Sequence, residues 1–369
     1  MKTIIHLLCC CVFFCCVSVA QTEPVANPEA TPWNFAVSGD SRNCGNVVMP
    51  AIAAGAKNDR AAFYWHLGDL RAIYGPDEDY KAEPEHHGQP VDKNAYLANA
   101  WPDFVASQMQ PFQPLPFFVG IGNHETTPPK TRAEFTSFFA RWLDTPVLQK
   151  QRLTDNPQSA QARTYYHWIQ GGVDFIYLDN ATNDQFDSAQ IAWLEGVLHR
   201  AKANPRVKSV VVGMHKMLPD SIAFGHSMSD TPQGTSSGRR VYNDLLALGK
   251  QSHKPVYILA SHSHFYMSGV FRTDYWKHNG GELPGWIVGT AGAMRYALPP
   301  GFERAEDARQ NVYGYLLGSV RGDGSIDFKF QQLEPDGIHR LADPRFGAEF
   351  VDYCIKKNSE VKEDAAGAR

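Results

Sequence analysis

The chain has 369 residues, enough for two modest domains or one large α/β domain with additions. Its 43% hydrophobic and 20% charged content, with 30 Gly and 24 Pro, excludes a coiled coil, a collagen and a disordered chain. The 35 Lys and Arg against 39 Asp and Glu leave a net charge of −4 with no long basic run, so no basic patch recruits nucleic acid or an anionic membrane, and function must lie in a local site.

The first element in chain order is a leader. Lys2, an apolar run over 4–17 and Ser18-Val19-Ala20 ahead of Gln21 have the layout of a secretory signal peptide over 1–20, and the run is too short to span a bilayer comfortably. The product is expected to be secreted or periplasmic, with no membrane span after cleavage. Cys9, Cys10, Cys11, Cys15 and Cys16 leave with the leader; Cys44 and Cys354 remain, and export predicts a disulfide between them. Residues 21–32 read as a Pro-punctuated linker, 33–331 as the folded domain and 332–369 as a C-terminal extension with a frayed tail.

Apolar, β-rich runs predict strands at 35–37, 62–67, 117–120, 175–178, 207–212, 256–259 and 286–288. Helical patterns lie between them at 46–57, 94–108, 132–142, 187–203 with Asp187 as N-cap, and 238–251. Strands alternating with helices argue an α/β architecture. Beyond 285 the helical signal fades, and turns such as Arg321-Gly322-Asp323-Gly324 predict an antiparallel meander that closes one sheet.

The metal-capable residues fall directly behind the strands. Asp40 follows the first, Asp69 the second, Asn123-His124-Glu125 the third; His215 and the pair His262 and His264 follow two later ones. In open α/β sheets ligands bind at the carboxyl ends of strands, so five strands deliver these side chains to one rim. Taken singly, a Gly-Asp is a turn and a His-x-His is structural; the ordered set is what argues for a site. Oxygen and imidazole donors without cysteine suit Zn, Mn or Fe. At i and i+2, His262 and His264 would face the same side if strand geometry continued.

The order Asp40, Gly68-Asp69, Gly122-Asn123-His124-Glu125, His215, His262-Ser-His264 resembles the calcineurin-like metallophosphoesterase superfamily. The Gly-Asn-His-Glu form, the 165–168 and 175–179 stretches and Gly289-Thr-Ala-Gly-Ala293 are most similar to its purple-acid-phosphatase-like branch. The resemblance implies an α/β fold, a four-layer αββα sandwich of two mixed sheets with a dinuclear metal site at the strand C-terminal edge. It implies two metal ions, Fe, Zn or Mn, with Asp69 bridging, Asp40 and His264 on the first and Asn123, His215 and His262 on the second. His124 is then a non-ligand near the leaving group, oriented by Glu125. The implied activity is hydrolysis of a small phosphorylated substrate, a phosphomonoester, by hydroxide held between the metals. Two rivals stay open: a nucleotide or cyclic-nucleotide phosphodiesterase of the same superfamily, and a metal-binding interaction protein whose altered first site has lost catalysis.

The chain departs from that pattern in three places. Asp40-Ser41-Arg42 stands where many members have Asp-x-His, so the first metal lacks an imidazole. Ala72 stands where purple acid phosphatases have a tyrosine three residues after the bridging acid, leaving Tyr74 as the candidate ligand, and Ser261 replaces the usual glycine before the final His-x-His. Guanidinium cannot ligate a cation, so Arg42 is expected to bind the substrate phosphate; the rival is that it turns away to a surface carboxylate. Residues 74–102, with Asp77, Glu78, Asp79, His86 and His87, read as either a substrate lid or a solvated insertion. Lys216 is expected at the surface or on phosphate, and Asn180-Ala181-Thr182 matches a glycosylation sequon.

Overall fold

The computed structural model describes residues 32–358 except 87, 160, 224 and 303–306. The expected signal peptide, nearly all of the linker, His87 and the tail beyond 358 lie outside the described residues. Among the described residues, twelve strands form two mixed sheets. The first half of the chain runs β1 (Trp33–Ser38), α1 (Gly45–Asn58), β2 (Ala61–His66), α2 (Glu78–Ala82), α3 (Lys93–Asp103), β3 (Phe117–Val119), α4 (Arg132–Phe138), α5 (Ala140–Leu143), α6 (Pro146–Asp155), β4 (Tyr166–Gln170) and β5 (Val173–Leu178). It continues through α7 (Ser188–Ala203), β6 (Ser209–Met214), α8 (Pro232–Ser252), β7 (Val256–Ala260), β8 (Tyr266–Ser268), α9 (Asp274–His278), β9 (Gly285–Val288), β10 (Ala308–Arg309), β11 (Gly314–Val320), β12 (Ile326–Gln332), α10 (Pro335–Leu341) and α11 (Ala348–Lys356).

One sheet is ordered β12-β11-β1-β2-β3 and the other β10-β8-β9-β7-β6-β5-β4. The antiparallel pair β11 and β12 closes the first sheet against β1, as the turn at 321–324 predicted, whereas β9 joins the second sheet parallel to β7. Period-two alternation builds the layers. Phe35, Phe63, Trp65, Phe118, Trp168 and Phe175 fill the space between the sheets, with Phe35 and Phe175 rings 5.0 Å apart and Phe118 stacked on Trp168 at 4.0 Å. The alternate residues Val210, Val212 and Met214 face the other way and pack under Ile191, Leu194, Val241 and Leu245 of α7 and α8. The result is the expected αββα sandwich.

Helix ends follow local chemistry. Asp187 caps α7 by accepting from Gln190 N at 2.8 Å, as read from sequence. The helix expected over 94–108 keeps α-form only to Asp103, because Pro102 has no N–H to give, and a wider-wound turn follows over Phe104–Met109. The helix expected over 132–142 breaks at Phe139, whose φ and ψ of −90° and 13° are not helical. Both helices of the C-terminal extension, α10 and α11, lacked a sequence signal strong enough to read. The expected disulfide joins Cys44 to Cys354 with Cα atoms 5.8 Å apart, fixing α11 to the start of α1.

The segment after Asp69 is neither a loose lid nor a solvated insertion at its root. Asp77 accepts from Asn43 N at 2.7 Å and from the Tyr96 hydroxyl at 2.6 Å. Asp79 accepts from Asn46 N at 2.8 Å, in the first turn of α1, and from Arg71 Nη1 at 2.8 Å; Asp103 also pairs with Arg71. Cys44, the N-cap of α1, offers no side-chain bond, so a carboxylate from the insertion meets the exposed N–H end of that helix. Both acids are buried because they are paired, which a charge count cannot reveal.

A second buried ion cluster ties α6 to the β4–β5 hairpin. His167 sits between Asp174, 2.8 Å from Nδ1, and Asp155. Burial opposes its charge, but Asp174 and Asp155 outweigh it and push the pKa up to about 9. An unfolded histidine titrates near 6.5, so this contribution is complete below about pH 6.5 and is lost as pH rises through 9. Wild-type unfolding free energy is therefore expected to fall more steeply than that of His167→Gln across that window, by on the order of 1–3 kcal/mol, in denaturant titrations at stepped pH. Parallel pH profiles for the two proteins would refute it.

Candidate metal centre

The rim predicted from the sequence exists. Asp40, Asp69 and Asn123-His124 follow β1, β2 and β3 of the first sheet, and His215, His262 and His264 follow β6 and β7 of the second. All lie where the carboxyl ends of both sheets meet. Three of them take the left-handed conformation, Asp40 at φ 61°, Asp69 at 58° and His262 at 58°, an arrangement that costs non-glycine residues energy and accumulates at functional sites. A glycine before the acid is required at Gly68 by its φ of 98°. At Gly122 the reason is space: a Cβ there would lie 2.2 Å from Asp69 Oδ1.

One ligand group converges. His215 Nε2 lies 2.9 Å from Asn123 Oδ1, 3.1 Å from His262 Nδ1 and 3.2 Å from Asp69 Oδ1. These are the separations of donor atoms that share one ion at roughly 2.0–2.2 Å each. Asp69, His215 and His262 also form the main group of metal-capable side chains among the described residues; the other, Glu83, Glu85 and His86, lies in the insertion, where Glu83 pairs with Arg345 at 3.3 Å. His215 Nδ1 faces Leu67 O and Ser261 Oγ, each at 3.1 Å, which turns Nε2 inward. Ser261 thus orients a candidate ligand, a task that the usual glycine could not perform. Asp69 Oδ2 is buried without a hydrogen-bond partner. A buried carboxylate oxygen left in this state, beside inward-facing imidazoles, fits a cation.

The second group does not converge in the same way. His264 Nε2 lies 3.2 Å from Asp40 Oδ1, and His264 Nδ1 is 2.5 Å from Met294 O. The strand ends at Ala260, and the left-handed turn at His262 breaks the alternation, so His262 reaches the His215 group while His264 reaches Asp40. Arg42, 3% exposed, points inward, which excludes the surface-carboxylate alternative. Its Nη1 donates to the Tyr74 hydroxyl at 3.1 Å, Nη2 is 3.4 Å from His264 Nε2, and Nε is 4.0 Å from Asp69 Oδ2. Tyr74, 36% exposed at the rim, is placed as a partner of Arg42 and not as a member of the converging ligand group.

His124 stands at the edge of the centre. Its Nδ1 is 2.5 Å from Ala72 O, which leaves Nε2 toward Asp69 Oδ2 at 3.5 Å. Glu125, expected from the resemblance to orient that ring, makes its bonds elsewhere. Its Oε2 accepts from Gly122 N at 2.7 Å and Asp69 N at 2.9 Å, and its Oε1 from Leu70 N at 2.9 Å, so it braces the backbone of two ligand loops. Lys216 is buried and paired with Asp184 and Asp230 at 2.9 and 3.0 Å, so neither the surface nor the phosphate expectation holds. Asn180 exchanges 3.1 and 2.6 Å bonds with the Lys216 backbone and is buried, which leaves no room for a glycan. Two residues escaped the sequence reading: Tyr296 stacks on His264 at 4.0 Å and His226 lies 5.5 Å from His262. Neither follows a predicted strand, so nothing in the spacing marked them.

The charges are arranged around Asp69. Burial would raise the Asp69 pKa, but His124, His215 and Arg42 hold it well below the usual carboxylate range. Burial likewise opposes the charged form of His215, while Asp69 and Asp40 push it up to about 9. Burial, aided by His215, holds His262 well below an ordinary imidazole, and burial lowers His124 as well. Glu125 is pushed up to about 8 by burial and by the neighbouring Asp69.

No family model and no curated protein matches the sequence. Solved structures do match. A purple acid phosphatase, PPD1, from yellow lupin (Lupinus luteus) seeds superposes at TM-score 0.52 with 14% identity, covering 84% of this chain and 55% of that one. PhoD superposes at TM-score 0.52 with 14% identity, covering 82% and 72%. A weaker match, at TM-score 0.42 and 12% identity, is GAP50, the anchor in the inner membrane complex of Plasmodium, covering 91% and 98%. This chain spans about half the length of the lupin phosphatase. With two mixed sheets, flanking helices and the candidate ligand residues on the shared carboxyl edge, the chain has the calcineurin-like metallophosphoesterase fold that purple acid phosphatase and PhoD display.

Proposed function

We propose that the chain is an exported, metal-dependent phosphoesterase that hydrolyses phosphomonoesters. The observation that carries the reading is the convergence of Asp69, Asn123, His215 and His262 donor atoms beside a non-ligand imidazole, His124, and a buried guanidinium, Arg42. A divalent ion held by that group withdraws charge from a phosphoryl oxygen and lowers the pKa of water. Arg42 adds a permanent positive charge on the Asp40–His264 side, suited to the second negative charge that a monoester has and a diester lacks. His124, held through Nδ1 on Ala72 O, presents Nε2 to the centre, where a protonated ring donates to the departing oxygen; the charge of an arriving phosphate favours that protonated form. Export is supported by the leader pattern over 1–20 and by the Cys44–Cys354 disulfide; no described helix is long and apolar enough to cross a membrane.

The reading is tested by stripping the purified chain with chelator, restoring Mn, Zn or Fe, and comparing an aryl phosphate with its diester analogue. Metal-restored turnover that favours the monoester is expected. Preference for the diester would select the phosphodiesterase alternative, and turnover of neither would select a binding protein.

A further inference from the structure

We propose that the Arg42 guanidinium stands in place of a first metal, so that the centre takes one divalent cation, on Asp69, Asn123, His215 and His262. This rests on the reading above that the converging group binds a metal. Two observations carry it. Arg42 engages the residues that a first ion would need: Nη2 lies 3.4 Å from His264 Nε2, Nε 4.0 Å from Asp69 Oδ2, and Nη1 3.1 Å from the Tyr74 hydroxyl. With His264 Nδ1 directed at Met294 O, Nε2 is the ring atom left for a first ion, and it already faces Asp40 Oδ1 at 3.2 Å and the guanidinium at 3.4 Å. Independently, Asp69 groups with His215 and His262 among the described residues, whereas Asp40, Asp69 and His264 do not come together as a metal-capable group.

The chemistry is consistent. Guanidinium stays protonated and cannot offer a lone pair, and a cation held by Asp40, Asp69 and His264 would lie beside a fixed like charge. Arg42 is itself held close by the loop: Cys44 N donates to Arg42 O at 2.9 Å, and the Cys44–Cys354 disulfide fixes the next turn. Asp40 is held on the same edge, with Oδ2 accepting from His262 N at 2.7 Å and Oδ1 3.2 Å from His264 Nε2. What the first ion would have supplied to a phosphoryl oxygen, a nearby positive charge, comes from the chain.

The test counts metal. The mature, oxidised chain is dialysed against excess Mn2+ at controlled free concentration, and bound metal per chain is measured with electron paramagnetic resonance on the same samples. One equivalent and an isolated six-line Mn2+ signal are expected for wild type. Arg42→His should raise the count to two with an exchange-coupled signal, His264→Ala should leave it at one, and His215→Ala should abolish binding. Two equivalents with a coupled signal in wild type would overturn the inference and leave the metal-dependent reading standing. No binding by folded wild type would overturn both. The wild-type count and the His264→Ala count decide the matter even if Arg42→His does not fold.

Discussion

Replacing His124 with alanine is expected to slow hydrolysis of alkyl phosphates by roughly 10² to 10⁴, the range of general acid catalysis, while activated aryl phosphates lose far less. The asymmetry follows from geometry. His124 is not part of the His215 group, and its ring is fixed through Ala72 O with Nε2 toward the centre. A leaving group that is already a good anion does not need a proton; an alkoxide does. Bound metal should be unchanged, because the His124 ring lies outside the converging ligands. Steady-state kinetics over a series of leaving-group pKa values, with metal analysis on the same samples, make the comparison. A uniform loss across the series would assign His124 to substrate binding instead.

Glu125→Ala is expected to do its damage without touching substrate. Three buried N–H groups, of Gly122, Asp69 and Leu70, would lose their acceptor at once, and each such loss costs about 1–3 kcal/mol. The folded state should therefore lose at least about 3 kcal/mol, and metal affinity should drop by roughly 10- to 100-fold as the Asp69 loop loosens. Glu125→Gln retains the shape and one acceptor oxygen but aims an amide N–H at a backbone N–H, so it should fall between wild type and alanine. Denaturant midpoints and metal titrations of the three proteins order them. Equal midpoints for wild type and alanine would show that water or another group takes over the three donors.

What the sequence could reveal was set by distance along the chain. Asp40, Asp69, Asn123 and His215 were legible because each closes a short apolar run, and the carboxyl ends of such runs meet at one edge in any α/β sheet. The split of His262 from His264 came only from the family resemblance; strand alternation put both on one side, because it cannot anticipate the left-handed φ at His262. Glu125 was read as a helper of its neighbour His124; two of its three amide partners, those of Asp69 and Leu70, are 56 and 55 residues away. Asp77 and Asp79 were read as part of either a substrate lid or a solvated insertion, because the amides of Asn43 and Asn46, 34 and 33 residues away, join Arg71 in burying them only in the fold. Even α6 was lost to local composition: its run of polar residues is held by packing and by the Asp155–His167 pair, which join only in the fold.

The Cys44–Cys354 bond also decides how the molecule would respond to force. It spans 310 residues, and among the described strands all but β1 lie inside the ring that it closes. Once β1 has been drawn off β11 and β2, tension applied at the two chain ends passes from Cys44 to Cys354 through two sulfur atoms, and the enclosed polypeptide carries none of it. An oxidised molecule held between two handles can lengthen only by the segments outside the ring, even if every strand within it has melted. Reduction of that single bond places the strands under load and releases about 1,000 Å of extended chain.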